Sequence, residues 1–178
     1  MLWLLLGASI MPSPPMTFAQ SSPQEAALTL EQLQLLNALG IKPVAPRYLP
    51  SGFVLRQLEV TLSRNSRIGG KSFAMIYEKL LSDGSKPVCF AIEATNGGIG
   101  GLPLGQQSYS VKNAVLGEGT IEYGQFGRAS QPTYLGNWLG TGPFYRFAGA
   151  NFARMSECED VSAQDAVRIS ESLDYVDP

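Results

Sequence analysis

Carboxylates are the side chains in this sequence best suited to chemistry, because the chain contains no histidine. Without an imidazole base, neither a Ser-His-Asp triad nor a Cys-His pair can form. Glu93 and Glu122 fall on segments that we predict to be strands. Two carboxylates about 5 or 9 Å apart can cleave a glycosidic bond, whereas two glutamates that face solvent have no such role. The sequence therefore favours a protein without enzymatic activity but does not decide the question. A carboxylate-based glycan hydrolase stays as the alternative.

Three other segments resemble ligand-binding motifs but complete none of them. Residues 65–72 match a P-loop except for its first glycine, and the alternation that follows favours a strand over the required helix. Residues 97–101 lack the third glycine of a dinucleotide-binding loop, which leaves an anion nest or a flexible connection as alternatives. The acidic residues around Cys158 lack EF-hand spacing; they are Glu157, Glu159, Asp160 and Asp165. We therefore expect no metal and no cofactor.

Residues 119–152 combine aromatic side chains with glycines and contain few charges. Flat rings bury a large area and glycine lets a ligand approach the backbone, so this composition suits a binding surface. It is also typical of short twisted strands whose aromatic side chains fill a core. On the first interpretation, the predicted ligand-binding residues are Trp138, Tyr134, Phe144 and Tyr145. We expect Trp138 to be the most exposed of them, because Asn137 and Gly140 bracket it.

Residues 1–20 carry no charge and begin with an apolar run over residues 1–10, which a proline-rich stretch follows. The run is shorter than the about 20 residues that span a bilayer. Its length, and the small residue Ala19 before a polar stretch, are typical of a signal peptide, although the usual basic start is missing. We therefore predict a signal peptide over residues 1–20, a polar linker over residues 21–27 and a single domain over residues 28–178.

Export would bring Cys89 and Cys158, the two cysteines of the chain, into an oxidising compartment where they can pair. A disulfide that closes so long a loop stabilises the fold by roughly 4 kcal/mol in the chain-entropy model. The alternative is two separate buried thiols that act as small hydrophobic side chains. We predict the disulfide.

Composition and hydrophobic periodicity predict an α+β fold. The chain has 178 residues, 44% of them hydrophobic and 16% charged, which suffices for the core of one domain. Thr29 can cap a helix over residues 30–38, and Ser162 can cap a last helix whose buried face includes Leu173. Alternation predicts strands over residues 54–63, 72–81, 88–94, 109–116, 119–123, 133–139 and 144–148. We therefore predict a mainly antiparallel, curved sheet of about six to seven strands with an N-terminal and a C-terminal helix.

Prolines dominate the stretch between the first helix and the first strand. Pro43, Pro46 and Pro50 predict that no regular secondary structure forms there. The segment Pro46-Arg47-Tyr48-Leu49-Pro50-Ser51-Gly52-Phe53 resembles the P-x-Y-L-P-x-G-F opening of a bacterial family of unknown function, whose members are exported or membrane-anchored. Residues 161–173 are similar to the closing helix of such domains, and exported cyanobacterial proteins are similar throughout. The resemblance covers about residues 43–176 and implies the periplasm, the thylakoid lumen or the cell exterior, but it implies no site residue.

Charge and hydropathy limit the partners. The net charge of −2 predicts no basic surface for nucleic acid. No segment after residue 20 is apolar for long enough to cross a membrane, so we expect the domain to be peripheral to a membrane at most. We predict an exported, non-enzymatic domain of the cell envelope that binds a partner protein or an apolar small molecule. Its binding face would be the side of the sheet that the helices leave uncovered, edged by residues 96–105. An accessory or assembly subunit of a membrane complex is a further alternative.

Overall fold

The structure is a computed structural model that describes residues 28–62, 70–97, 99–153 and 155–176. The predicted signal peptide, the predicted linker and most of the P-loop-like segment lie outside the described residues. The helices are α1 (Leu30–Ala38) and α2 (Ala163–Glu171). The strands are β1 (Val44–Pro46), β2 (Val54–Leu62), β3 (Lys71–Lys79), β4 (Val88–Thr95), β5 (Gln107–Asn113), β6 (Gly117–Gly124), β7 (Thr133–Gly136), β8 (Phe144–Gly149) and β9 (Leu173–Tyr175).

The central element is a seven-stranded antiparallel sheet with the strand order β2-β3-β4-β8-β7-β6-β5. The first three of these strands form a meander, because short connections favour antiparallel neighbours. The chain then crosses to the far edge, forms β5, and returns strand by strand until β8 pairs with β4. The predicted α+β fold with an antiparallel sheet is confirmed, and β4 and β8 lie together at its centre although they are distant in sequence.

Both helices form where their capping residues predict them. The hydroxyl of Thr29 accepts a hydrogen bond from the Gln32 backbone N–H at 3.2 Å, and the Gln32 side chain accepts one from the Thr29 N–H at 2.8 Å. This reciprocal pair satisfies backbone donors that the first turn of α1 leaves without partners. At the start of α2, the Ser162 hydroxyl accepts from the Asp165 N–H at 3.1 Å.

A second, two-stranded sheet corrects two predictions. β1 pairs antiparallel with β9, with Val44 opposite Tyr175 and Pro46 opposite Leu173. β1 is an edge strand, where proline is tolerated, and the Arg47 N–H continues the ladder past Pro46 by donating to the Ser172 carbonyl at 3.0 Å. The prediction that prolines exclude regular structure here is therefore wrong for residues 44–46. Leu173 is buried as expected, but it lies in β9 because α2 ends at Glu171.

The sheet has two unlike faces. One face packs against α1 and α2 in a single core, in which the largest fully buried side chains include Phe90, Phe147, Met75, Ile92 and Leu36. The opposite face, which we call the open face, carries a small apolar cluster made of Ala91, Phe126, Leu135 and Ala148. Elsewhere this face carries charged side chains, and neither helix contributes to the cluster on it.

Cys89 and Cys158 form a disulfide, which confirms that prediction. Cys89 lies in β4, and Cys158 lies in the connection from β8 to α2. Two backbone hydrogen bonds reinforce the attachment: the Cys89 N–H donates to the Glu159 carbonyl at 2.9 Å, and the Glu159 N–H donates to the Pro87 carbonyl at 2.8 Å. The connection is therefore fixed against the centre of the sheet.

Neither helix in the described ranges has both the length and the apolar character needed to cross a bilayer.

Candidate functional site

A groove with a volume of about 710 Å³ runs across the open face. A second depression of about 340 Å³ shares Glu59, Ala74 and Glu93 with it and extends to Trp138 and Arg146. Because the two depressions have these walls in common, we treat them as one groove. The groove lies on the face that the helices leave free.

Strand register builds the floor of the groove. Glu59 of β2 lies opposite Ala74 of β3, Ala74 lies opposite Glu93 of β4, and Glu93 lies opposite Arg146 of β8. Cross-strand partners point to the same face, so these four side chains form one row across the sheet. The short side chain of Ala74 leaves a gap between two glutamates whose strands are about 10 Å apart. Ala91 and Ile76 continue the floor as an apolar patch.

Glu93 and Arg146 form an ion pair in this row. The Oε2 atom of Glu93 lies 2.7 Å from Nε and 2.6 Å from Nη2 of Arg146. The side chains are only 23% and 16% exposed, so the pair is largely shielded from water. Hydrogen bonds between charged groups are stronger than neutral ones. Within the described ranges, Oε1 of Glu93 and Nη1 of Arg146 make no such bond.

Two aromatic rings also contact the Arg146 guanidinium. Its central carbon lies 4.1 Å from the ring centre of Trp138 and 4.8 Å from that of Phe152. A guanidinium over an aromatic face is attracted by the negative face of the ring, and more strongly where water is excluded. The rings and Glu93 together restrict the long Arg146 side chain to one position, so its free N–H groups are oriented before a ligand arrives.

Backbone pairing positions Trp138 at one end of the groove. The next residue, Leu139, exchanges two backbone hydrogen bonds with Tyr145, at 2.8 and 2.9 Å. The preceding residue, Asn137, donates its N–H to the Thr120 carbonyl at 2.8 Å. The backbone of Trp138 is therefore held between two anchored neighbours, and its ring is half-buried.

A half-buried carboxylate holds the turn that carries Phe152. Oδ1 of Asp160 accepts hydrogen bonds from the Ala150 N–H at 2.7 Å and from the Thr133 hydroxyl at 3.0 Å. Burial raises the pKa of the Asp160 carboxyl, although these two hydrogen bonds act in the opposite direction. The turn that carries Phe152 therefore depends on Asp160 and on the neighbouring disulfide.

The sequence-predicted binding residues are divided between the two faces. Trp138 lines the groove, and Phe144 lies on the same face as Arg146, opposite Thr95. Tyr145 points the other way, because side chains alternate along β8. It is fully buried in the core, donates its hydroxyl to the Lys42 carbonyl at 2.6 Å, and has its pKa raised by burial. Tyr145 therefore lies on the opposite face of the sheet from the groove that Trp138 lines.

Tyr134 also lies apart from the groove. Its ring packs 4.8 Å from the ring of Tyr123 and 6.2 Å from that of Tyr109, on the face that the core occupies. Burial is the main cause of the raised pKa of Tyr134. The three tyrosines form a cluster at the far half of the sheet, and the structure does not bring Tyr134 to Trp138.

The structure separates the two glutamates considered for hydrolysis. β8 and β7 lie between the strands of Glu93 and Glu122, a separation of about 14 Å at the usual strand spacing. Glu122 is buried and accepts hydrogen bonds from the Ser108 hydroxyl at 2.6 Å, the Thr120 hydroxyl at 2.9 Å and the Gly105 N–H at 3.3 Å. The bond from Ser108 contributes most to lowering its pKa. Glu122 therefore anchors the end of the loop over residues 99–105.

The acidic residues around Cys158 do not converge on a metal site in the described ranges. Asp160 is engaged by Thr133 and Ala150 as described above, and Asp165 accepts hydrogen bonds at the start of α2 and from the Tyr48 hydroxyl at 2.9 Å. Glu78, Cys89 and Cys158 do bring potential ligand atoms within 4.8 Å of one another. The two sulfurs are bonded to each other, however, so they are not available as thiolate ligands.

Sequence reasoning did not identify Glu59, Arg146 or Phe152 as parts of this site. Arg146 and Glu93 are 53 residues apart, and only the β4–β8 pairing brings them together. The single signal in the sequence was that Arg146 is one of few charges in an aromatic stretch.

Comparisons with protein-family models, with curated protein sequences and with solved structures found no match for this chain.

Proposed function

We propose that this chain is an exported, non-enzymatic domain that binds a segment of a partner protein in the groove on its open face. The observation that carries the proposal is the position of Arg146, which an ion pair and two aromatic rings fix at the floor of a groove that the helices leave free. Arginine and aromatic residues are enriched at the energetic centres of protein interfaces. Fixing them in advance lowers the entropy cost of binding.

The chemistry of the groove favours a polypeptide over an apolar small molecule. An apolar ligand would remove Glu59 and the Glu93–Arg146 pair from water without offering hydrogen bonds in return, which is costly. A polypeptide supplies N–H and C=O groups for the unused atoms of Glu93 and Arg146, and apolar side chains for the patch around Ile76 and Ala91. The groove therefore suits a ligand that is polar along its backbone and apolar in some of its side chains.

The hydrolase alternative has weaker support. Glu59 and Glu93 lie on one groove, and their strand separation of about 10 Å is near the upper end of the range for inverting glycosidases. Such an enzyme needs one carboxyl group that donates a proton to the leaving group. Glu93 instead accepts a hydrogen bond from the Arg146 Nε–H and lies in ion-pair contact with Nη2 of the same guanidinium, and Glu59 is exposed to solvent. Neither environment favours a proton-donating acid.

The compartment is part of the proposal. The disulfide supports an oxidising environment, and we propose the periplasm, the thylakoid lumen or the cell exterior. The net charge of −2 gives no support for a nucleic-acid partner. A domain that binds a partner protein also suits an accessory or assembly subunit of a membrane complex, peripheral to the membrane itself. The resemblance of residues 46–53 to an exported bacterial family agrees with this location.

Fluorescence of Trp138 distinguishes these ligand classes. A Trp3→Phe variant leaves Trp138 as the only indole of the chain, next to Arg146 in the groove. This variant is titrated with peptides selected on it from a displayed library, with phosphatidylcholine vesicles and with chitooligosaccharides. We expect a saturable change in emission with a selected peptide and none with the other two. A response to vesicles alone would replace the polypeptide by an apolar ligand. Cleavage of an oligosaccharide that Glu93→Gln abolishes would establish the hydrolase.

A further inference from the structure

The two edges of the seven-stranded sheet are protected differently. On β5, the backbone N–H of Lys112 donates to a carboxylate oxygen of Glu171 in α2 at 3.1 Å. Beside it, the Asn113 side chain donates to the Ser170 and Leu173 carbonyls at 3.0 and 2.7 Å. The C-terminal end of the β5 edge is therefore occupied by the end of α2. In the described part of the chain, β2 pairs with β3 alone, so the outer backbone groups of a nine-residue strand have no partner.

The side chains of β2 suit pairing with an identical strand. Leu58, Val60 and Leu62 lie on the face that packs towards the core, and Leu62 is 63% exposed. Glu59 and Thr61 alternate with them on the open face and line the groove. An exposed edge strand with an apolar side is normally paired or covered, because it otherwise recruits another strand.

We propose that β2 pairs antiparallel with β2 of a second copy of this chain, centred on Val60. A two-fold rotation axis perpendicular to the sheet joins two identical edges in antiparallel orientation. It leaves the open faces of the two copies on the same side of the joined sheet. A pairing centred on Glu59 would place two glutamates directly opposite each other, which is unfavourable. A pairing centred on Leu58 would run into the irregular step between Leu55 and Gln57.

The Val60 register avoids both problems. It places Leu58 opposite Leu62 of the second copy, and Glu59 opposite Thr61 of the second copy. Apolar side chains then meet on the core side, and no like charges face each other on the open side. Five paired residues on each strand bury less area than a stable interface requires, so the dimer is reversible.

The pairing also joins two grooves. Because the axis is perpendicular to the sheet, the open faces of both copies point in the same direction. Glu59 and Thr61 line the groove of their own copy, so the groove of the second copy begins on the adjacent strand. The result is one cleft that runs across the sheets of both copies. This cleft is long enough for an extended partner segment, of which a single copy would bind only a part.

Charge substitutions at Thr61 test the register by sedimentation velocity of the full chain over increasing concentration. Thr61 is exposed, so its replacement leaves the core unchanged. Thr61→Lys places an ammonium opposite Glu59 of the second copy twice per dimer, and Thr61→Glu places a carboxylate there. We expect Lys to tighten and Glu to weaken dimerisation by roughly 2- to 30-fold, in opposite directions. Monomers at every concentration, or equal effects of the two variants, would overturn the proposal.

Cross-linking provides a second measurement that does not depend on affinity. The native cysteines are bonded to each other, so an introduced cysteine is the only free thiol in the described ranges. Val60→Cys brings the two thiols of a dimer directly opposite each other at a distance that a disulfide spans. Val54→Cys, on the same strand but outside the paired segment, is the control. We expect oxidation to give a covalent dimer with Val60→Cys and not with Val54→Cys. Equal cross-linking of both variants would contradict the register.

Discussion

The guanidinium of Arg146 lies 2.6 Å from the carboxylate of Glu93, in the middle of the sheet face that neither helix covers. This charged pair does not pack in the apolar core, because the core lies on the other face of the sheet. Trp138 and Phe152 contact the same guanidinium, so three side chains of the groove hold Arg146.

Loss of one partner of this pair should be costly. Glu93→Gln leaves a largely buried guanidinium without its counter-charge, and we expect the free energy of unfolding to fall by about 1–3 kcal/mol. The control is Arg56→Gln, which removes a 3.4 Å ion pair with Glu78 in which Arg56 is 69% exposed. There we expect a loss of at most about 1 kcal/mol. Urea denaturation measures both, and equal losses would show that the position of the Glu93–Arg146 pair has no energetic importance.

Reduction of the disulfide should destabilise the chain. Cys89 and Cys158 are separated by 69 residues, and removal of a native disulfide typically costs about 2–5 kcal/mol. We expect dithiothreitol to lower the midpoint of urea denaturation of the wild-type chain. A Cys89→Ala, Cys158→Ala double variant should start at the lower midpoint and be insensitive to the reagent. An unchanged wild-type midpoint under reducing conditions would contradict the expected stabilisation.

The buried carboxylate of Glu122 should make stability depend on pH. Hydrogen bonds, first from Ser108 and then from Thr120 and the Gly105 N–H, hold its pKa below the ordinary value of 4.5. A group whose pKa is lowered by folding stabilises the fold above its unfolded pKa and loses that contribution as the pH falls through its folded pKa. The free energy of unfolding of the wild type should therefore exceed that of Glu122→Gln by its largest amount at neutral pH, and this difference should shrink below pH 4.5.

A second variant checks the cause of that shift. Ser108→Ala removes the first of the three donors but keeps the carboxylate, so the pKa of Glu122 should rise towards its ordinary value. Titration of the Glu122 carboxyl carbon by NMR follows the change directly. If the pKa of Glu122 is the same with and without the Ser108 hydroxyl, the hydrogen bond does not cause the shift.

Gly149 should not tolerate a side chain. A Cβ at this position would overlap the Thr133 hydroxyl and lie 2.5 Å from Oδ1 of Asp160, the carboxylate that holds the Phe152 turn. We expect Gly149→Ala to cost about 1–3 kcal/mol, because both atoms are fixed by a part-buried hydrogen-bond network. Gly100→Ala is the control, since nothing lies within 4 Å of a Cβ there. Similar stabilities of the two variants by thermal denaturation would contradict this packing.

Local sequence patterns predicted the elements well and the site poorly. The cap at Thr29, the cap at Ser162 and the alternation along β2, β3 and β4 depend on neighbours within a few residues, and these predictions are confirmed. The pairing of β1 with β9 was missed because the prolines hid a short strand whose partner is distant in sequence. The pairing of β4 with β8 has the same long-range origin, and it creates the contact between Glu93 and Arg146.

The assignment of aromatic residues shows the same limit. Trp138 was expected to be the most exposed of the predicted binding residues; it lines the groove, and its ring is half-buried. Tyr145 was grouped with it by composition, although a side chain one position before Arg146 on a strand must point to the opposite face. Composition identified the region but not the face, and only the register of β8 in the sheet separates the two.

The most direct test of the proposed function compares two phenylalanine substitutions in the Trp3→Phe background. Ala74→Phe fills the gap in the groove floor between Glu59 and Glu93, whereas Ser110→Phe adds the same ring at an exposed position on β5. Trp138 emission gives the dissociation constant of a selected peptide for each variant. Binding in the groove predicts a loss of at least about tenfold for Ala74→Phe and an unchanged constant for Ser110→Phe. Equal affinities of the two variants would contradict the proposal that the groove holds the ligand.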